Sequence, residues 1–188
     1  MCPSHRKKKQ PQLVRSQLLA AAAGIVVARG LAGLTLDLVA REAGLSKGGL
    51  IHHFPSKQAL IEGLFLEMLA AFEAGLAAAA DHVPTSRRRF TRAYVAAILT
   101  PCFGAFDGKL LGACALALCH DPAITGLWEG WLARQFSAYG EDPADVAGRL
   151  IRYAADGMWL EMATEQAGCL PEDRRAVVAR LLDLADTL

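Results

Sequence analysis

The sequence predicts an all-α protein: an N-terminal three-helix domain carrying a helix-turn-helix, then a larger helical C-terminal domain, about nine helices in all. Three observations predict it. Apolar residues recur at three- and four-residue spacing along nearly the whole chain, while the alternation expected of strands is weak throughout. Residues 35–57 place two short amphipathic helices on either side of one glycine, Gly44. Charge also divides the chain. Residues 1–57 carry nine Lys or Arg against Asp37 and Glu42, a net of +7, and the remaining 131 residues carry a net of −6, although the whole chain is only +1.

The elements follow in order. Pro11 suits a first helical turn, where its missing N–H is no loss, and Gly30 stops that helix after Arg29. Its inward face is Leu18, Leu19, Ala22, Ile25 and Val26. Thr35 is a natural cap for a second helix, with Leu36, Val39, Ala40 and Ala43 on one face. Gly44 can take the left-handed backbone that ends a helix cheaply. Ser46 caps a third helix, and Leu50 and Phe54 are its inward residues. A fourth helix starts after Ser56 and runs to about Asp81, with Leu60, Leu64, Met68 and Phe72 at four-residue intervals. Thr85 caps a fifth that runs toward Phe103, and residues 104–108 form a turn. The sixth covers about 109–119. The seventh follows Asp121 and Pro122, a cap plus a first-turn proline, and reaches about Tyr139. Residues 140–143 break the chain. The eighth helix is expected over about 143–167 and the ninth from Pro171 to about Asp186.

In the helix-turn-helix, the side chains not used for packing carry the chemistry. Lys47, Gly48, Gly49, Ile51, His52 and His53 point outward from the third helix, the arrangement of a recognition helix lying in the major groove of DNA. A hairpin that only packs does not call for two glycines beside a lysine on an exposed face. Each glycine costs a helix interior roughly 1 kcal/mol relative to alanine, and close approach of the backbone to DNA is a compensation. The basic segment coincides with this motif, as suits a protein that presents one end to a polyanion.

The motif resembles that of the TetR family of bacterial regulators. Thr35, Val39, Ala40, Ala43, Gly44, Leu45, Ser46, Gly48, Leu50, His53, Phe54, Ser56, Lys57 and Leu60 carry the resemblance, which extends upstream through Leu18, Ala21, Ala22 and Gly30. It covers roughly residues 12–65. Beyond that, the chain resembles the family in length and helical pattern. The resemblance implies DNA contacts from Thr35, Ser46, Lys47, Gly48, Gly49, Ile51, His52, His53 and Lys57. One position departs: where the family usually has a tyrosine that touches a phosphate, this chain has Ile51, which cannot make that hydrogen bond.

The expected domains are a disordered basic arm at 1–10, a DNA-binding domain at 11–71 with its helix-turn-helix at about 34–53, and a ligand-binding and dimerisation domain at 72–188. No apolar run reads as long enough to cross a membrane without a charge or glycine interrupting it, and the charged N-terminus lacks the apolar core of a signal peptide. The five cysteines, Cys2, Cys102, Cys114, Cys119 and Cys169, are odd in number and contain no Cys-x-x-Cys, which points to reduced thiols in the cytoplasm. Cys114, Cys119, His120 and Asp121 lack a recognised zinc spacing, so no metal is expected, and buried structural thiols are the preferred reading. A redox-sensing thiol stays open.

The body has an apolar surplus that suits a pocket, a dimer interface or both. On the eighth and ninth helices, Leu150, Ala154, Gly157, Glu161, Val178, Leu181 and Leu182 are the expected dimer seam, forming a four-helix bundle between two subunits. Met68, Phe72, Phe103, Phe106, Cys114, Trp128, Trp131, Met158, Trp159 and Met162 either line an adaptable cavity or fill an ordinary core. The resemblance points to the cavity, with Glu129, Asp156 and Glu161 as polar anchors for an apolar or aromatic effector. The resulting expectation is a dimeric repressor released from a palindromic operator by a small molecule, with no cofactor and no membrane partner. An activator, or a regulator of the same fold without a ligand, is the alternative. A small helical enzyme is the reading from another class, but the sequence offers no Ser/His/Asp set, no Gly-rich phosphate loop and no two-His metal pair on one face.

Overall fold

The computed structural model describes residues 11–83, 88–99, 108–164 and 172–187, and every regular element among them is helical. They sort into two compact units that divide between Leu64 and Phe65.

The first unit opens with α1 (Pro11–Arg29), which buries the face expected from its periodicity: Leu18, Leu19, Ala22, Ile25 and Val26. After Gly30 the chain makes a 3-10 turn, Leu31–Gly33, which the periodicity did not signal. Thr35 then caps α2 (Leu36–Glu42), its Oγ1 accepting the Leu38 N–H at 3.3 Å. α2 buries Leu38, Val39 and Ala40, and Leu36 is only half-buried. Side chains lean toward the start of a helix, so the first residue of this short one covers the space before it rather than the core. Gly44 has φ +65° and closes the helix, with the Leu45 N–H donating to the Ala40 carbonyl at 2.9 Å. Ser46 caps α3 (Lys47–His53) by accepting the Gly49 N–H at 3.1 Å, while Leu50 and Phe54 are buried.

α4 (Lys57–Ala80) begins with a Ser56 cap that accepts the Ala59 N–H at 3.0 Å. Its first turns bury Leu60 and Leu64. Gly63 lies so close to its neighbours that a β-carbon there would be 2.7 Å from the Phe54 ring and 3.2 Å from Leu19. α4 continues unbroken through Leu64, so nothing local marks the place where one compact unit gives way to the next.

The second unit contains the rest of α4, α5 (Arg89–Leu99), α6 (Gly108–His120), α7 (Pro122–Tyr139), α8 (Val146–Thr164) and α9 (Glu172–Thr187). Asp121 caps α7 by accepting the Ala123 N–H at 2.9 Å, and α7 ends at Tyr139 as expected. α8 starts at Val146 rather than 143. Residues 142–145 form a turn instead, in which the Asp142 carboxylate accepts the Ala144 N–H at 2.8 Å and Asp145 accepts the Gly148 N–H at 3.3 Å. The expected Thr85 cap and residues 104–107 of the turn expected at 104–108 lie outside the described residues, whereas Gly108 opens α6 instead of ending that turn.

Two helices overturn the expectation about membrane length. Pro11–Arg29 and Lys57–Ala80 are both long and apolar enough to span a bilayer by composition, because alanine raises hydropathy without breaking a helix. Both also supply core residues, and half of the apolar stretch in Lys57–Ala80 is buried inside the protein.

Candidate functional site

α3 presents Lys47, Gly48, Ile51 and His52 to solvent, with Gly49 and His53 half-buried. Leu50 and Phe54 hold the opposite face in the core, and the Arg15 guanidinium stacks 5.2 Å from the Phe54 ring centroid. The two glycines differ. A β-carbon at Gly49 would press on the Ser46 hydroxyl at 3.2 Å, so Gly49 leaves room for the cap. A β-carbon at Gly48 would meet nothing within 4 Å, so no packing within the chain requires Gly48. His52 and His53 meet edge to face, with ring centroids 5.4 Å apart.

The two lysines expected to meet DNA already have partners. Lys47 pairs with Asp37 across the helix-turn-helix, at 2.9 Å. Lys57 donates to the Leu31 carbonyl at 2.8 Å, closing the 3-10 turn onto the start of α4. Thr35 and Ser46, expected at DNA, are spent first as helix caps. Neither lysine contact was legible in sequence, since each joins residues on different elements.

In the body, the residues expected to line a pocket sort differently. Met68, Phe72, Cys114, Trp131 and Met158 are buried, and Trp128 and Trp159 are half-buried. Phe103 and Phe106, and the side chain of Met162, lie outside the described residues. Phe72 packs on Tyr94 and Trp131 with centroids 5.2 and 5.3 Å apart, Phe90 meets Tyr94 and Trp131, and Trp128 stacks on Trp131 at 5.2 Å. These are packed core contacts. Polar groups are threaded through the cluster. The Trp131 indole and the Gln135 amide both donate to the Glu73 carboxylate at 3.2 Å, and the Tyr94 hydroxyl donates to Asp156. The Trp159 indole N–H is buried without a hydrogen-bond partner among the described residues. Burial pushes the Cys114 thiol up to about 12, so it stays protonated and unreactive at neutral pH. Burial also raises the Asp156 carboxyl and, together with the charge of Asp156, the Tyr94 hydroxyl.

Sequence reasoning missed a buried ionic network in this unit. Arg88 grips Asp145 through two hydrogen bonds, at 2.5 and 3.2 Å. Glu141 accepts the Thr91 N–H at 3.0 Å, the Thr91 hydroxyl, and Arg152 at 3.0 Å. The Arg152 guanidinium also lies 4.6 Å from the Phe136 ring centroid. An open groove of about 720 Å³ runs beside it, walled by Leu132, Phe136 and Pro143. Of the residues singled out from sequence, only Glu129 lines that groove.

The expected dimer seam divides as well. Leu150, Ala154, Gly157 and Glu161 are exposed on α8, in line with Val146, Tyr153 and Leu160, which are also exposed. Val178 and Leu181 are instead buried within the chain, at 5% and 7% exposure, and Leu182 is half-buried. Within the chain, α9 packs against α5 and α8.

A three-helix unit with a capped, outward-facing recognition helix is what a family profile described as "Bacterial regulatory proteins, tetR family" matches, over residues 18–64. A second profile, "Tetracyclin repressor-like, C-terminal domain", matches residues 88–186, more than half of the chain. The chain belongs to the TetR family. Its members are transcriptional regulators, and this one is a DNA-binding regulator of the helix-turn-helix type. Among curated TetR-family relatives, the HTH-type transcriptional regulator BetI of Ectopseudomonas mendocina is 28% identical over 191 residues, covering 90% of this chain and 92% of that protein. BetI of Vibrio vulnificus is 25% identical, covering 94% of each. The fold is shared with a solved chain from Pseudomonas aeruginosa PAO1 (TM-score 0.73, 21% identity, 96% of this chain and 94% of that one). It is also shared with the multidrug binding protein EbrR complexed with malachite green (TM-score 0.65, 20% identity, 90% and 96%).

Proposed function

We propose that this TetR-family regulator is a repressor that binds a palindromic operator as a homodimer and is released by a small apolar or aromatic effector. The observation that carries the reading is the open face of α3, where Lys47, Gly48, Ile51 and His52 stand clear of the core. In this reading residues 11–71 bind DNA and 72–188 bind the effector and the second subunit. Gly48 lets the backbone approach the duplex, Lys47 reads a base edge, and Thr35, Ser46 and Lys57 lie along the phosphates. Ile51 contributes apolar contact in place of a phosphate hydrogen bond. The exposed stripe of α8 pairs with its copy, which spaces two recognition helices for one operator. The protein works in the cytoplasm, alongside its DNA.

The effector would open the aromatic cluster around Phe72, Tyr94 and Trp131, whose polar handles are Glu73 and Asp156. α4 runs unbroken from Lys57 to Ala80, so pressure on Met68 or Phe72 reaches a helix that begins beside the recognition helix. Coupling requires that the effector prefer the conformation that does not fit DNA. The test screens small aromatic compounds, malachite green among them, for a raised unfolding midpoint. Operator affinity is then measured with and without each stabilising compound. Release by about a hundredfold is expected for an inducer. Compounds that bind the body and leave operator affinity unchanged would refute the release mechanism.

A further inference from the structure

Asp37 lies in the first turn of α2, and Lys47 opens α3. The Lys47 ammonium meets both oxygens of the Asp37 carboxylate, at 2.9 and 3.1 Å. Both side chains are exposed, at 58% and 72%, so the pair lies on the surface that α3 offers to DNA rather than in the core. An ammonium has three N–H donors and no acceptor. The ammonium donates to one Asp37 oxygen and lies in ion-pair contact with the other, and it keeps donor capacity for a further partner.

A lysine without such a partner is a compact charge on a flexible stem, and any phosphate satisfies it. A carboxylate without such a partner at the same surface repels every duplex alike. Paired, the two cancel their sequence-independent effects and fix where the ammonium sits. The attraction is screened in water, but it strengthens as an approaching duplex excludes solvent and lowers the local dielectric. The geometry therefore counts most when DNA is bound.

We propose that Asp37 is a specificity-determining residue: it withholds Lys47 from the phosphates and aims the ammonium at a base edge in the major groove. The proposal rests on the reading of α3 as the recognition helix. Asp37 acts through Lys47 and positions it; it makes no base contact of its own.

The test uses the full chain and two duplexes of equal length, one selected by the wild type from a random pool and one scrambled, titrated across salt. Asp37→Asn keeps the size of the side chain and removes its charge. It should bind the scrambled duplex about tenfold more tightly and the selected duplex nearly as before, so the discrimination ratio falls about tenfold. The salt slope on the scrambled duplex should steepen by about one released ion. Asp37→Glu should recover part of the ratio. In a Lys47→Met background, Asp37→Asn should move both duplexes by one common factor and leave the ratio alone.

A discrimination ratio unmoved by Asp37→Asn, or one that falls equally without Lys47, would overturn the proposal. So would a parallel loss of affinity for both duplexes with a lowered unfolding midpoint, which marks a plain structural role. A wild type that enriches no duplex overturns the recognition-helix reading, and this proposal with it. A wild type that discriminates while the variant matches it overturns this proposal alone.

Discussion

Single positions in the first unit divide by what surrounds a missing β-carbon. At Gly63 the neighbours are the Phe54 ring at 2.7 Å and Leu19 at 3.2 Å, both buried and unable to swing away. Gly63→Ala should therefore destabilise the protein by about 1–3 kcal/mol, the cost of overpacking, read as a lower urea midpoint. Gly48 is the opposite case, since nothing lies within 4 Å of the added methyl. Gly48→Ala should leave the fold as stable or raise stability by up to about 1 kcal/mol, because glycine loses more entropy in a helix. The same methyl should weaken operator binding if the backbone of α3 approaches the duplex. Stability and affinity measured on one preparation decide it, and equal operator affinity would show that the glycine serves no close approach.

At the scale of elements, the buried ionic network ties the start of α5 to the turn before α8 and to α8 itself. Asp145→Ala would leave Arg88, only 4% exposed, without its carboxylate. Breaking a buried pair from one side costs about 3–5 kcal/mol, so this variant should unfold at much lower denaturant. The pair at Asp156 behaves differently. Burial raises the Asp156 carboxyl, against the opposing effects of the Tyr94 hydrogen bond and the Arg152 charge. The folded chain then binds this proton more readily than the unfolded one. Stability from this group is present at low pH and lost as pH rises from the ordinary carboxylate range through the raised folded value. Asp156→Asn keeps an acceptor for Tyr94 and removes the titration. It should be at least as stable as the wild type at neutral pH, with the difference closing as pH falls. A wild-type advantage at neutral pH in urea titrations would contradict this.

For the whole molecule, the proposed assembly turns on the exposed stripe of α8. Leu150 is 61% exposed, and Val146 and Tyr153 flank it at 67% and 62%. A row of large apolar side chains in water costs a monomer solubility and marks an interface. Leu150→Glu should leave each chain folded and abolish the proposed dimer, seen as a halved mass in sedimentation with unchanged helicity. Leu181→Glu should do something else: at 7% exposure it would bury a charge inside the chain and unfold it. A wild type that sediments as a monomer at micromolar concentration would refute the interface.

Whatever depends on local chemistry was legible along the chain. Capping by Thr35, Ser46, Ser56 and Asp121, the left-handed turn at Gly44 and the inward face of α1 were all legible, because each is settled within a few residues along one helix. The outward positions Lys47, Gly48, Ile51 and His52 of α3 were legible for the same reason, as was the chain's kinship to the TetR family, whereas Gly49 and His53 are half-buried. Tertiary structure decided what depends on which helix lies beside which. It gave Lys47 to Asp37 and Lys57 to Leu31, placed Phe72 and Trp131 in a packed aromatic cluster, and assembled Arg88, Thr91, Glu141, Asp145 and Arg152 from three separate stretches of chain. It also split the expected dimer seam, leaving Leu150 in water and folding Leu181 inside. Helical periodicity marks an apolar face but not its partner. An apolar face buried in its own chain and one kept for a second chain have the same pattern, and only the packing of the other helices separates them.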